Sequence, residues 1–305
     1  MQNTNRVFMV RPISFGFNAE TAVNNYYQTN DKTISPEYIQ QLALNEFNNF
    51  VKVLENEGVE VNVIEDTMEP HTPDSIFPNN WFSTHEENKL ILYPMYAENR
   101  RLERTEKIFN EIKLEKNKVE ILDLTNFENR NIFLEGTGSM VLDRSNKKAY
   151  VCLSERAHEE VLDYFCEKTG FKKIAFHAFQ NHDIGRKPIY HTNVMMSVGE
   201  KYAIISLDTI DDIREREKVV NSLKEDGKEI IEISEEQVKN FLGNTLELNS
   251  KNGKICVMSK TAYLSLNENQ KKAIEKYNKI VSVPIPTIEK YGGGSARCML
   301  AELFI

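Results

Sequence analysis

The chain has 305 residues, with 46 acidic against 38 basic side chains for a formal net charge of −8, and four cysteines. That length holds one large domain or two small ones with an ample core. The acidic balance excludes nucleic acid and anionic membrane as partners, and no apolar run reaches the roughly eighteen residues that a membrane-spanning helix needs.

The opening residues, Met1-Gln2-Asn3-Thr4-Asn5-Arg6, carry no apolar signal-peptide region. Cys152, Cys166, Cys256 and Cys298 share no metal-ligand spacing, and the first three sit in strand or helix patterns that read as core. A reducing cytoplasm is expected, with neither metal nor cofactor. In chain order, a strand at 7–10 leads into an Asn- and Tyr-rich stretch, 14–35, left open between an active-site lid and a surface loop. A helix at 36–57 and a strand at 59–64 follow. A unit of strand, turn, strand, helix, strand then recurs. Its copies run over 81–85, 90–94, 101–116 and 119–124; over 138–143, 149–153, 155–169 and 172–176; over 193–198, 202–207, 211–226 and 229–233; and over 245–248, 254–258, 268–276 and 280–283. The helices space apolar residues three and four apart, and the strands are short and β-branched. The run 298–304 supplies one more first strand, whose unit is completed by elements 7–64. A period of about 52 to 57 residues argues for a single α/β domain built as a closed repeat array.

Polar residues fall in register with this repeat. At or just before each first strand stand Asn79 and Asn80, Glu135, His191 with Asn193, Asn244, and Cys298. If the first strands ring an axis, these residues converge at one end of it. Cys298 follows Gly292-Gly293-Gly294, a loop able to approach a ligand closely, and a thiol there can serve as a nucleophile; the plainer alternative is a core cysteine. His191 suits general acid/base work and can receive a thiol proton. Glu135, entering a buried strand, needs a partner, and orienting His191 would provide one. Asn79 and Asn80 offer both donors and acceptors to an amide-like or urea-like group, and Asp74 lies in the same segment. Arg100, Arg101 and Arg186 are candidates for a bidentate grip on a substrate carboxylate. His182 falls outside the register, and His71, His85, His158 and His177 read as loop or surface positions. Gly136-Thr137-Gly138 is too short for a dinucleotide fingerprint, and no phosphate loop is present.

Taken together, the cysteine behind a glycine loop, His191-Thr192-Asn193, Glu135-Gly136 and Asp74-Ser75-Ile76-Phe77-Pro78-Asn79-Asn80 resemble the guanidino-group-modifying superfamily. Arginine deiminase, dimethylarginine dimethylaminohydrolase, agmatine deiminase and arginine amidinotransferase belong to it. The resemblance covers essentially the whole chain. It is nearest to the amidinotransferase-like citrulline-utilisation hydrolases, through 73–81, Leu92-Tyr93-Pro94-Met95-Tyr96, Asn99-Arg100-Arg101-Leu102-Glu103-Arg104 and the Gly292–Cys298 loop. It implies a five-bladed α/β propeller with Cys298 as nucleophile, His191 as general acid/base and Glu135 as its partner. It also implies Asp74, Asn79 and Asn80 on the substrate side, and Arg100 or Arg101, with Arg186, at an α-carboxylate. Superfamily members that bind a guanidinium place aspartates where Asn80 and Asn193 stand. Two carboxamides remove the attraction for a cation and match a neutral ureido group. The expected reaction is hydrolysis of citrulline to ornithine, ammonia and carbon dioxide. Arginine dihydrolase or deiminase, amidino transfer, and a catalytically silent binding module are the rival readings, and the oligomeric state is open, with a homodimer as one option.

Overall fold

A computed structural model describes residues 1–113, 119–182 and 185–305. Five three-stranded sheets recur in it with one construction: the first strand runs antiparallel to the second, and the third runs parallel to the second. They comprise Phe82–His85, Lys89–Leu92 and Glu120–Asp123; Met140–Asp143, Lys148–Cys152 and Lys172–Phe176; Met196–Val198, Tyr202–Ile205 and Glu229–Glu232; Leu246–Ser250, Gly253–Ser259 and Lys279–Val283; and Ala301–Glu302, Arg6–Arg11 and Glu60–Glu65. Parallel neighbours need a long crossover, and helical segments supply it in each unit. The antiparallel pairs of the first four sheets need only tight turns. In the first sheet His85 pairs with Lys89 across a three-residue turn, in which Glu87 and Asn88 both adopt positive φ, 65° and 57°.

The middle strands are largely buried. Tyr202–Ile205 is shielded throughout, as is Val7–Val10 within Arg6–Arg11. Over the fifth sheet lies the helix Pro36–Asn56, which starts where Ser35 accepts from the Tyr38 amide and Pro36 needs no donor. It buries Ile39, Ala43, Phe47, Phe50, Val51 and Leu54 at helical spacing. Each such large side chain contributes about 1.5–3 kcal/mol by leaving water. Among the described residues no helix is long and apolar enough to cross a membrane.

The structure departs from the sequence reading at the start of each unit. The expected strand 298–304 shrinks to Ala301–Glu302, and Cys298 lies in a helical turn, Ala296–Met299. Similar turns, Pro78–Asn80, Gly136–Ser139 and Thr192–Met195, precede the first strands of three other units, and a turn through Phe241 leads to Asn244 in the remaining one. Single helical turns of three or four residues form locally, and apolar content alone reads them as strand. The expected helix 101–116 is two helices, Glu98–Arg101 and Glu106–Lys113, and 114–116 lies outside the described residues. The helix expected at 155–169 begins at Glu159. A polar hairpin, Phe179–His182 with Gly185–Pro188, was not foreseen.

Candidate active site

The turns are stitched to one another by side chains. Asn79 Nδ2 donates to Thr137 Oγ1 at 3.2 Å, Thr192 Oγ1 to the Ser139 carbonyl at 2.5 Å, and Asn244 Nδ2 to the Asn193 carbonyl at 3.0 Å. Asn244 then meets the last turn: its Nδ2 points at Cys298 Sγ at 3.2 Å and its Oδ1 accepts from the Cys298 amide at 3.4 Å. Gly294 packs against the Phe77 ring so closely that a Cβ would lie 2.7 Å from it. Residues that cap or end these turns therefore gather in one place.

Cys298 is 6 % exposed. Besides Asn244, Asn193 Nδ2 reaches its sulfur at 3.6 Å. Two carboxamide N–H groups are thus directed at one sulfur, where they can meet negative charge that develops on it. The other thiols have the opposite surroundings: burial pushes Cys152 and Cys256 up to about 12 and Cys166 to about 11, which leaves them inert at neutral pH.

His191 Nε2 and Glu135 Oε2 are 2.7 Å apart, both fully buried. Burial alone would raise the Glu135 carboxyl. The Arg156 guanidinium at 3.5 Å and the hydrogen bond from His191 outweigh it and hold the group at about 2. Tyr96 adds its backbone N–H to Glu135 Oε1 at 2.9 Å. Burial is also the largest influence on His191 and lowers it to about 4, against the pull of Glu135. At neutral pH the pair is thus a carboxylate and a neutral imidazole. A carboxylate can only accept, so Nε2 carries the proton and Nδ1 is the basic nitrogen. Nδ1 lies over Gly138, where a Cβ would come within 2.8 Å. The arrangement can take a proton at Nδ1 and stabilise the resulting cation through Glu135.

One cavity collects these groups. It is lined by His191, Cys298, Asp74, Asn80, Arg100 and Arg156, with Thr21, Asn25, Tyr190 and the three glycines closing it. Gly293 needs its left-handed φ of 66° and touches Asn25. Arg100 can only donate, so Asn80 turns its Oδ1 toward Arg100 Nη1 at 2.7 Å and leaves Nδ2 with no partner among the described residues. Asp74 Oδ2 accepts from Asn18 and Thr21, and its Oδ1 has no partner among the described residues. Burial raises the Asp74 carboxyl while Arg100 opposes. Buried polar atoms are ordinarily bonded, so this cavity offers a free donor and a free acceptor to whatever polar group enters it.

The family model described as N,N dimethylarginine dimethylhydrolase, eukaryotic, matches residues 11–305. The chain belongs to this family. It stands within the guanidino-group-modifying superfamily. No curated protein matches the sequence. Among solved structures, the N-terminal domain of ArgZ, an arginine dihydrolase from Cyanobacteria, covalently bound to a reaction intermediate, superposes with a TM-score of 0.73 at 16% identity, covering 97% of each chain. AgrE bound to L-arginine gives 0.72 at 18%, covering 97% of this chain and 40% of its own. A dimethylarginine dimethylaminohydrolase variant from Pseudomonas aeruginosa complexed with citrulline gives 0.66 at 14%, covering 99% and 100%. At these identities the likeness is one of mixed α/β fold.

In this member of the dimethylarginine dimethylhydrolase family, the structure brings Asp74, Asn80, Arg100, His191 and Cys298 onto one cavity and sets Glu135, Asn193 and Asn244 directly behind it. Asn193 and Asn244 address the sulfur, and neither lines the cavity. Asn79 is part of the stitching. Arg101 binds the Met95 and Tyr96 carbonyls, and Arg186 lies on the surface in ion pairs with Asp211 and Glu235, so neither reaches the cavity. Arg186 lies within the unforeseen hairpin, paired with Asn181, which carries it outward. Sequence reasoning missed Arg156 because it fell inside the expected helix 155–169. The chain instead folds back there, with Ser154 and Leu134 both bridged to Ala157. Arg156 and Arg100 each follow the second strand of their unit, and that register is the signal that finds both. The stretch 14–35 covers the cavity: Asn24 Oδ1 accepts from Arg156 Nε at 2.8 Å, and Asn25 reaches the Gly292 and Gly293 carbonyls.

Proposed function

We propose that the protein is a cysteine hydrolase that cleaves a C–N bond of a small ureido or guanidino amino acid, with citrulline preferred and ornithine, ammonia and carbon dioxide as products. The observation that carries this reading is the fixed orientation of Asn80. Arg100 holds its oxygen, so the free end is an N–H donor. A ureido carbonyl can accept from it; a guanidinium has no acceptor to offer. Asp74 Oδ1 suits an N–H of the same group.

Neutral His191 takes the Cys298 proton at Nδ1, and Asn193 and Asn244 stabilise the thiolate as it forms. The sulfur attacks the ureido carbon. The tetrahedral adduct collapses with loss of the ornithine amine, protonated by His191, and leaves a carbamoyl group on sulfur. Water, deprotonated by His191, then releases carbamate, which decomposes to ammonia and carbon dioxide. Glu135 stabilises the imidazolium at each stage. The five sheets are inferred to close as a five-bladed propeller forming one catalytic domain, acting in the cytoplasm; the stitched turns support this arrangement.

A second reading, arginine hydrolysis, has its support in Asp74, whose free oxygen also suits a guanidinium N–H, and in the similar fold of ArgZ, an arginine dihydrolase. The test is ammonia and ornithine release from citrulline, arginine, dimethylarginine and agmatine. Ornithine from citrulline with arginine inert is expected, and Asn80→Asp should shift preference toward arginine at least tenfold. Turnover of arginine alone by the wild type overturns the citrulline assignment. Cys298→Ala should lower kcat by about 10⁴-fold or more with the fold retained, and appreciable residual turnover overturns the nucleophile.

A further inference from the structure

A second cavity of about 250 Å³, sharing no lining residue with the first, is bounded by His85, Lys89, Arg144, Lys147, Phe171 and Phe304, with Glu86 and Glu87 at its rim. Its defining group is Arg144, 8 % exposed, whose guanidinium stacks on the Phe304 ring 4.1 Å from the centroid. His85, a surface position by sequence, is buried here. Its Nδ1 accepts from Arg144 Nη1 at 3.2 Å, so it is neutral and donates from Nε2 to Ser83 Oγ.

The charges around this cavity do not balance. The carboxylate nearest Arg144, Glu302, is 3.8 Å away and is already bound by Arg297 at 2.9 Å. Two buried guanidinium groups therefore share one carboxylate. At the rim, Glu86 is taken by the Met1 ammonium and Glu87 by Lys89. Lys147, with its Nζ 5.0 Å from the Phe171 ring centroid, makes no ion pair among the described residues. Arg144, which has only a share in a distant carboxylate, and the exposed Lys147 face the same space. A buried cation with incomplete counter-charge is costly, and a guanidinium backed by an aromatic ring presents the planar donors that grip a carboxylate or phosphate.

We propose that this cavity is a binding site for a small oxyanion, held between Arg144 and Lys147. An anion there would leave Glu302 to Arg297, which precedes Cys298 in the same turn, so occupancy bears on the placement of the thiol. The proposal does not depend on which substrate the first cavity takes.

The test is thermal unfolding of the purified chain at constant ionic strength, with sodium phosphate or sodium acetate at about 10 mM compared with chloride. At least one anion should raise Tm by a few degrees above the chloride control, and the one that does so separates a phosphate ligand from a carboxylate. Lys147→Asn keeps a residue that tolerates the φ of 51° at this position and should weaken the anion roughly tenfold. Arg144→Gln should abolish the response; if that variant does not fold, Lys147→Asn carries the test alone. An unchanged Tm with both anions overturns the site, as does an equal response from wild type and Lys147→Asn.

Discussion

Arg100–Glu103 and Arg156–Glu135 are both buried Arg–Glu pairs whose arginines line the same cavity, and their carboxyl groups differ in charge state. Glu103 is gripped at both oxygens by Arg100, at 2.8 and 3.0 Å, yet burial with Asp74 and Asp66 nearby pushes it up to about 7. Glu135 is farther from its arginine, at 3.5 Å, but also accepts from His191 and the Tyr96 amide and lies at about 2. One good ion pair does not keep a buried carboxylate ionised where other acids crowd it; a cation plus two further donors does. The first pair holds Asn80 and the Phe77 carbonyl in place. The second is the one the imidazole relies on.

That contrast can be broken by four substitutions of decreasing expected effect. Glu135→Gln should lower kcat by about 10³-fold. In the wild type, kcat/KM should hold down to the acid side and fall with an apparent pKa of about 4, the position of His191; a limb at 6.5 or above would mean the imidazole is not held neutral by burial. Gly138→Ala, whose Cβ would run into Asn80 Nδ2 and lie 2.8 Å from His191 Nδ1, should lower kcat by about 10²-fold through misplacement of both groups. Asn24→Ala removes the acceptor on Arg156 and should raise KM about tenfold with kcat within threefold; an unaltered KM would detach the 14–35 stretch from binding. Glu103→Gln should leave kcat within about threefold and cost about 1–3 kcal/mol of stability.

The two pairs also act on stability with opposite sign. Glu135 and His191 have depressed folded pKa values. Their contributions are present above 4.5 and 6.5 and are lost as pH falls toward about 2 and about 4. Glu103 has a raised one, so its contribution is present below 4.5 and lost as pH rises through about 7. Urea titrations of Glu103→Gln should therefore lose less stability than the wild type between pH 4.5 and 7. A wild-type loss retained in full by the variant would assign it to another group.

Much of this was legible in the chain. The repeat period located Glu135, His191 and Cys298 because each unit begins with the same local construction, and local constructions leave sequence marks. The long helix 36–57 was legible from its Ser35-Pro36 start and its spaced Phe47, Phe50 and Leu54. What could not be read depended on contacts distant in sequence. Asn193 looked like a substrate ligand until its amide was seen to point at sulfur, and the orientation of Asn80 is set by Arg100, twenty residues away. Arg156 was concealed because a charged residue in the first turn of an expected helix ordinarily faces water.

The fifth sheet joins strands from opposite ends of the chain. Val7 pairs with Glu302, Thr4 Oγ1 donates to the Leu303 carbonyl, and Arg6 binds the Ile305 carbonyl. Contacts with such sequence separation require the largest loop closures and form slowly. The turn that carries Cys298 adjoins this sheet, whereas the other four units draw their strands from neighbouring sequence. During refolding, regained circular dichroism should therefore precede regained selective alkylation of Cys298, making the thiol a reporter of the last assembly step.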